Sequence, residues 1–172
     1  QVGPVTTEQQ LKKVLGYIDV AKAEGAETLL GGVRPDNRPE LGEGWFVEPT
    51  IFGGVRNDMR SAQEEVFGPV LAVIPFDSAE EALSIANDSR YGLAAGVWTQ
   101  DIRKIKYFSE RLEAGTIWAN TYRVISYMAP LGGYKSSGLG RENGQNAIYQ
   151  YLQTKSVMIS TAGEVANPFI MR

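Results

Sequence analysis

Two residue types that carry much of enzyme chemistry are missing from this sequence: its 172 residues include no cysteine and no histidine. Their absence removes zinc sites of the common kind, a disulfide framework, a thiol nucleophile and an imidazole base. Any chemistry within the chain falls to carboxylates, Lys, Ser, Thr or Tyr. An excess of one charge is missing as well, since 17 Lys and Arg stand against 20 Asp and Glu for a net charge of -3, with no run of like charges. Nucleic acid and membrane surfaces are therefore not expected partners. The longest apolar run, VLAVIP from Val70 to Pro75, is far too short to cross a bilayer, and the opening QVGPVTTEQQ lacks the basic and apolar regions of a signal peptide. Repeats and low-complexity tracts are absent. The first residue is Gln rather than Met, which leads us to expect that the chain begins inside a longer polypeptide.

What remains is an ordinary globular composition, 43% hydrophobic and 22% charged, sufficient for one buried core. In TTEQQLKKVLGYIDVAKAEG the apolar residues Leu11, Val14, Leu15, Ile18 and Ala21 recur at helical spacing, with Thr7 as N-cap, Gln10 closing a capping box and Gly25 ending the helix. AETLLGG and WFVEPTIF flank the polar, Pro- and Gly-rich RPDNRPELGEG, which predicts a two-stranded excursion around a solvent loop. PVLAVIPF is continuously apolar and predicts a strand covered on both faces. Next comes a helix with Ser78 and Glu81 as capping box and Ala79, Ala82, Leu83 and Ala86 inward. The strand AAGVWT, a helix with Ile102, Ile105, Phe108 and Leu112 inward, and the strand TIWANT complete a β-α-β-α-β order. That order predicts an α/β fold with a parallel, Rossmann-like sheet and flanking helices. Ligands approach such sheets at the carboxyl ends of the strands, here after Thr99 and Asn120. A long irregular stretch from Tyr122 to Gly140 precedes a short predicted helix, RENGQNAIYQY, and a last strand-like run, TKSVMIST.

GGYKSSGLGRENG, Gly132 to Gly144, invites a phosphate-binding reading and does not satisfy it. Lys135 precedes the second glycine cluster, whereas a Walker loop needs it after. The dinucleotide fingerprint places a third glycine where Asn143 stands. These glycines suit tight backbone passage better. Glu64 and Glu65 invite an acid/base reading, but adjacent side chains diverge by about 100° on a helix and about 180° on a strand, so the two cannot flank one substrate. Either both belong to a solvated acidic turn, or one faces a site while the other faces solvent. The VFGPV that follows fixes the loop rigidly.

EEVFGPVLAV, SIANDSRYGLAAGVWT, AGTIWANTY and APLGGYKSSGLGREN, in this order and spacing, resemble the C-terminal part of the NAD(P)-dependent aldehyde dehydrogenase superfamily, from about Pro4 to Thr161. The resemblance implies oxidation of an aldehyde to a carboxylic acid with NAD or NADP, by attack of a Cys thiolate, hydride transfer and Glu-assisted hydrolysis of the thioester. It places that Cys, that Glu and the oxyanion Asn upstream of Gln1. No catalytic residue is expected in this chain, which alone is expected to be inactive. By the same resemblance, residues 1–140 form the C-terminal part of the catalytic domain, and 141–172 a terminal helix and oligomerisation strand.

Other roles carry over by position. Glu65 corresponds to the acceptor for the nicotinamide-ribose hydroxyls and Phe67 to the aromatic beside that ribose; Gln10 and Lys13 fit either the same ribose or a solvated helix face. Tyr122, Arg123, Ile125 and Leu131 correspond to the mouth of the aldehyde tunnel. Leu131 stands where many relatives have an aromatic, which implies a less aromatic tunnel and argues against a cage for quaternary amines. Arg123 fits either a substrate carboxylate or plain solvation. The run Gln153–Ser160 would complete a neighbouring subunit's sheet in a homo-oligomer, a dimer or tetramer. A cytoplasmic location is the default expectation. The alternative function is a non-catalytic binding or assembly module that uses this last strand.

Overall fold

The computed structural model describes residues 2–35, 38–41, 44–161, 163, 167, 169 and 170. Asp36, Asn37, Gly42 and Glu43, within the expected solvent loop, lie outside the described residues, as do several positions after Thr161. Helix α1, Glu8–Ala23, begins at Thr7, whose hydroxyl accepts the Gln10 N–H at 3.2 Å. The capping box is only half formed. The Gln10 side chain turns away from Thr7 to a loop far along the chain, as described below. Leu11, Val14, Ile18 and Ala21 are all buried, as their helical spacing predicts, and Leu15 packs at the edge of the same core.

This stripe lies against a sheet of three strands, β1 (Glu27–Leu30), β2 (Thr50–Gly53) and β3 (Val70–Ala72), in that spatial order. β1 and β2 are antiparallel, which is the predicted excursion, and β3 extends the sheet in parallel with β2. The crossover from β2 to β3 carries the short helix α2, Arg60–Gln63. Phe52, Val55, Met59 and Val66, all from β2 and this crossover, fill the core beneath α1. Leu71 is exposed on the other face of β3, so that strand is covered on one face rather than both.

The second half follows the predicted order. Helix α3, Ala79–Asn87, is capped by Ser78, whose Oγ accepts the Glu81 N–H at 3.1 Å, while the Glu81 carboxylate accepts the Asp77 N–H at 2.7 Å. Here the reciprocal bond does form, but one residue beyond the cap. After β4 (Tyr91–Gly92), strand β5 (Ala94–Val97), helix α4 (Ile102–Arg111) and strand β6 (Thr116–Ala119) form a parallel crossover unit, with β5 and β6 in register. Ile105, Phe108 and Leu112 are half-buried, whereas Ile102 and Ala86 are exposed rather than inward. The sheet is therefore parallel and helix-flanked in its parts, but β5–β6 and β1–β2–β3 are separate ladders.

β7 (Tyr134–Lys135) pairs antiparallel with β4 and brings the glycine-rich segment against the second half. The predicted terminal helix is a 3-10 helix, Gln145–Tyr151, with no side-chain cap. Gln153 to Ser160 belongs to no helix or sheet and is exposed throughout. Among the described residues no helix is long and apolar enough to cross a membrane.

Candidate functional site

Two neighbourhoods gather the residues singled out in the sequence. The first is the loop from Glu64 to Pro69, which leaves α2 and runs over α1. Glu64 is held there by two elements: Arg60 donates from Nε and Nη2 to its two carboxylate oxygens at 3.0 and 2.9 Å, and the Tyr17 hydroxyl donates to Oε2 at 2.6 Å. Hydrogen bonds from Arg60 and then Tyr17 lower the Glu64 carboxyl to about 2, and the same contacts raise both partners. An ionised, fully engaged carboxylate of this kind is a fastener. Glu65 diverges from it, is exposed, and makes no hydrogen bond or ion pair among the described residues. The adjacent pair thus divides into one anchored and one open carboxylate.

Phe67 follows with a backbone φ of 56°, a left-handed conformation rarely adopted by an aromatic residue, and is 72% exposed. Gln10 holds that turn, donating from Nε2 to the Phe67 carbonyl at 2.8 Å and to the Val66 carbonyl at 3.4 Å. At Gly68 the loop touches α1 so closely that a Cβ would lie 2.6 Å from Cγ2 of Val14. Lys13 is exposed on α1, its ammonium 5.8 Å from the centre of the Tyr17 ring. An open carboxylate next to an upturned aromatic, on a loop fixed from below, can accept a pair of hydroxyls while packing one face of a ring system. The residues present therefore suit a nicotinamide ribose. Of the residues that the sequence singled out here, Gln10 and Phe67 are in direct contact, Glu65 stands two positions before Phe67 on the same loop, and Lys13 lies on α1 near Tyr17. The sequence reading missed Tyr17 and Arg60. The signal available for Tyr17 was its spacing of four and three residues along α1 from Gln10 through Val14.

The second neighbourhood lies at the carboxyl ends of β5 and β6. Asn120, with φ of 53°, ties the two ends together: its Oδ1 accepts the Thr99 N–H at 2.9 Å and its Nδ2 donates to the Thr99 carbonyl at 2.8 Å. The loop beyond carries Tyr122, Arg123 and Ile125, all exposed. Tyr122 stands edge-on to Trp118 with ring centres 5.7 Å apart, and the Trp118 indole N–H donates to the Val124 carbonyl at 2.8 Å. Arg123 also has a left-handed backbone, φ of 58°. Leu131 is placed elsewhere, in a reciprocal backbone pair with Glu142 at 2.7 Å each way, beside a cavity of about 680 Å³ that Gly132, Gly140 and Arg141 also line.

The cations of the glycine-rich segment are already engaged. Lys135 donates to the Asn87 and Ser89 carbonyls at 2.6 and 3.1 Å and pairs with Glu113, and Arg141 donates to the Gly133 and Gly140 carbonyls at 2.9 and 2.8 Å. A Cβ on Gly115 would overlap the Gly132 carbonyl, and one on Gly132 that of Gly140. Backbone packs on backbone here, which is the requirement these glycines meet. No group of three or more Asp or Glu suited to a metal occurs among the described residues.

A family profile, Aldehyde dehydrogenase family, matches residues 1–157. Human mitochondrial aldehyde dehydrogenase is 46% identical over 157 residues, covering 91% of this chain and 29% of the human one. The putative aldehyde dehydrogenase DhaS of Bacillus subtilis is 45% identical over 160 residues, 93% of this chain and 31% of its own length. The crystal structure of Staphylococcus aureus betaine aldehyde dehydrogenase in complex with NAD+ superposes with a TM-score of 0.92 at 44% identity, covering 98% of this chain and 33% of that one. The chain thus spans about a third of the length of the relatives it matches.

Proposed function

The chain belongs to the aldehyde dehydrogenase family, and from that premise we propose that it supplies the nicotinamide-ribose wall and the substrate-entry wall of an enzyme that oxidises aldehydes to carboxylic acids with NAD or NADP. The observation that carries this reading is the open Glu65 carboxylate beside the upturned Phe67 ring. Glu65 accepts hydrogen bonds from the two ribose hydroxyls, and the Phe67 ring packs against the same sugar and its base. When bound, the nicotinamide supplies the hydride acceptor of aldehyde oxidation. The family's thiolate is not among these 172 residues, which contain no cysteine, and in this reading the rest of the polypeptide provides it.

Tyr122, Arg123 and Ile125 line the aldehyde entrance, with Tyr122 steadied by Trp118 and the loop tied back through the Gly144 N–H to the Tyr127 carbonyl at 2.8 Å. Leu131, set apart from those three beside its own cavity, adds no aromatic face, which favours aldehydes that lack a quaternary ammonium. Residues 1–140 act as part of the catalytic domain, and 141–172 as the terminal helix and the strand that associates with another subunit.

Glu65→Gln in the complete polypeptide tests the reading. An amide accepts at one oxygen and is uncharged, so the Kd for NAD+ is expected to rise about tenfold, the scale of a hydrogen bond to a charged group. A Kd within about twofold of the parent would remove Glu65 from the ribose site and the central support with it.

A further inference from the structure

We propose that one stripe of α1, formed by Gln10, Val14 and Tyr17, sets the position of the loop that carries Glu65 and Phe67, so that Gln10 and Tyr17 act as positioning residues for nicotinamide-ribose binding. The proposal rests on the ribose reading of Glu65 given above. Residues spaced by four and then three positions share one helix face. Each of these three touches the loop at a different height. Tyr17 grips Glu64 through its hydroxyl at 2.6 Å, Val14 meets Gly68 at the packing limit, and Gln10 holds the Phe67 carbonyl at 2.8 Å.

The loop needs such a rail. Phe67 sits in a left-handed conformation that an isolated chain avoids, and such residues persist only where their surroundings over-determine them. Gln10 acts on the carbonyl of that very residue, and Tyr17 together with Arg60 fixes the residue just before Glu65. Arg60 is itself anchored from the C-cap of α1, since its backbone N–H donates to the Glu24 carboxylate at 3.0 Å. Glu65 therefore enters its site from a backbone already in place, without an ordering cost at the moment of binding. The assignment also gives Gln10 a role other than direct contact with the ribose: its amide N–H groups face backbone carbonyls of the loop.

Two variants of the complete polypeptide, Gln10→Leu and Tyr17→Phe, test this with two readouts. The first is binding of NAD+ compared with AMP, a probe that lacks the nicotinamide ribose. The second is hydrogen exchange of the backbone amides of residues 64–68 and 70 in the protein without cofactor. Both variants are expected to weaken NAD+ about fivefold to tenfold, to leave AMP within about twofold, and to speed exchange in the loop before any cofactor is added. Loss of AMP binding together with NAD+ would signal general destabilisation and overturn a specific positioning role. Weakened NAD+ with unchanged exchange in Gln10→Leu would make Gln10 a direct ligand instead. Unchanged NAD+ binding in both variants overturns the proposal while Glu65→Gln still reports on the ribose site, so the two readings fail separately.

Discussion

At the scale of single residues, the consequence of the Glu64 contacts is a pH dependence with a definite sign. Its folded value, about 2, lies below the ordinary 4.5, so the folded state binds the proton less readily than the unfolded one. The stability contributed by the Arg60 and Tyr17 contacts is therefore fully present above pH 4.5 and is lost as the pH falls from there towards 2. Arg60→Met removes the larger cause. Thermal unfolding followed at about pH 6 and about pH 3 should show the variant less stable than the parent at the higher pH, with the gap narrowing at the lower one. A gap of equal size at both would mean that Arg60 acts by packing alone. The same residue scale explains why the sequence left the Glu64–Glu65 pair open. Divergence of adjacent side chains could be read from geometry, but the choice of which carboxylate is anchored depends on Tyr17, 47 positions away from Glu64.

At the scale of elements, the helices and the β5–α4–β6 unit were legible because their determinants are local: apolar periodicity, Thr7 and Ser78 as caps, and short connections that favour a parallel crossover. Asp101, whose Oδ1 accepts the Arg103 N–H at 2.9 Å at the start of α4, escaped notice although Asp is a favoured cap. The Gln10 side chain was assigned to its own capping box because that too is a local rule, and the loop 57 positions away took it instead. Pairing of β3 with β2 was equally out of reach, since a parallel ladder records no signal in either strand alone. The clip at Asn120 offers an element-level test of the second neighbourhood. Asn120→Ala deletes both hydrogen bonds to Thr99 and places a Cβ residue less tolerant of the left-handed region, whereas Asn120→Gly deletes the clip but accepts the backbone. Unfolding should become easier by about 2 to 4 kcal/mol for the first and by about 1 to 2 kcal/mol for the second. Equal losses, measured by denaturant titration, would show that the backbone conformation carries no cost.

At the scale of the whole molecule, the distribution of buried residues is uneven. Among the described residues, every buried hydrophobic residue of the core comes from residues 11–66, while α3, α4, β5 and β6 keep only half-buried or exposed apolar faces. The far end adds Val157, Met158 and Ile159, all strongly exposed, Met158 at 94%. An apolar run of this kind with no strand beside it is a hazard if left alone and a docking element if another chain supplies the sheet. In an extended conformation Val157 and Ile159 share one face, two positions apart. If this run joins a neighbouring subunit's sheet, as proposed for residues 141–172, charge on that face should be poorly tolerated in the assembly and harmless to the monomer's own core. The paired substitution Val157→Lys and Ile159→Lys in the complete polypeptide is therefore expected to shift sedimentation velocity to a smaller species while the far-ultraviolet dichroism stays that of the parent. Sedimentation that does not change would place the subunit contact elsewhere on the uncovered faces of the second half.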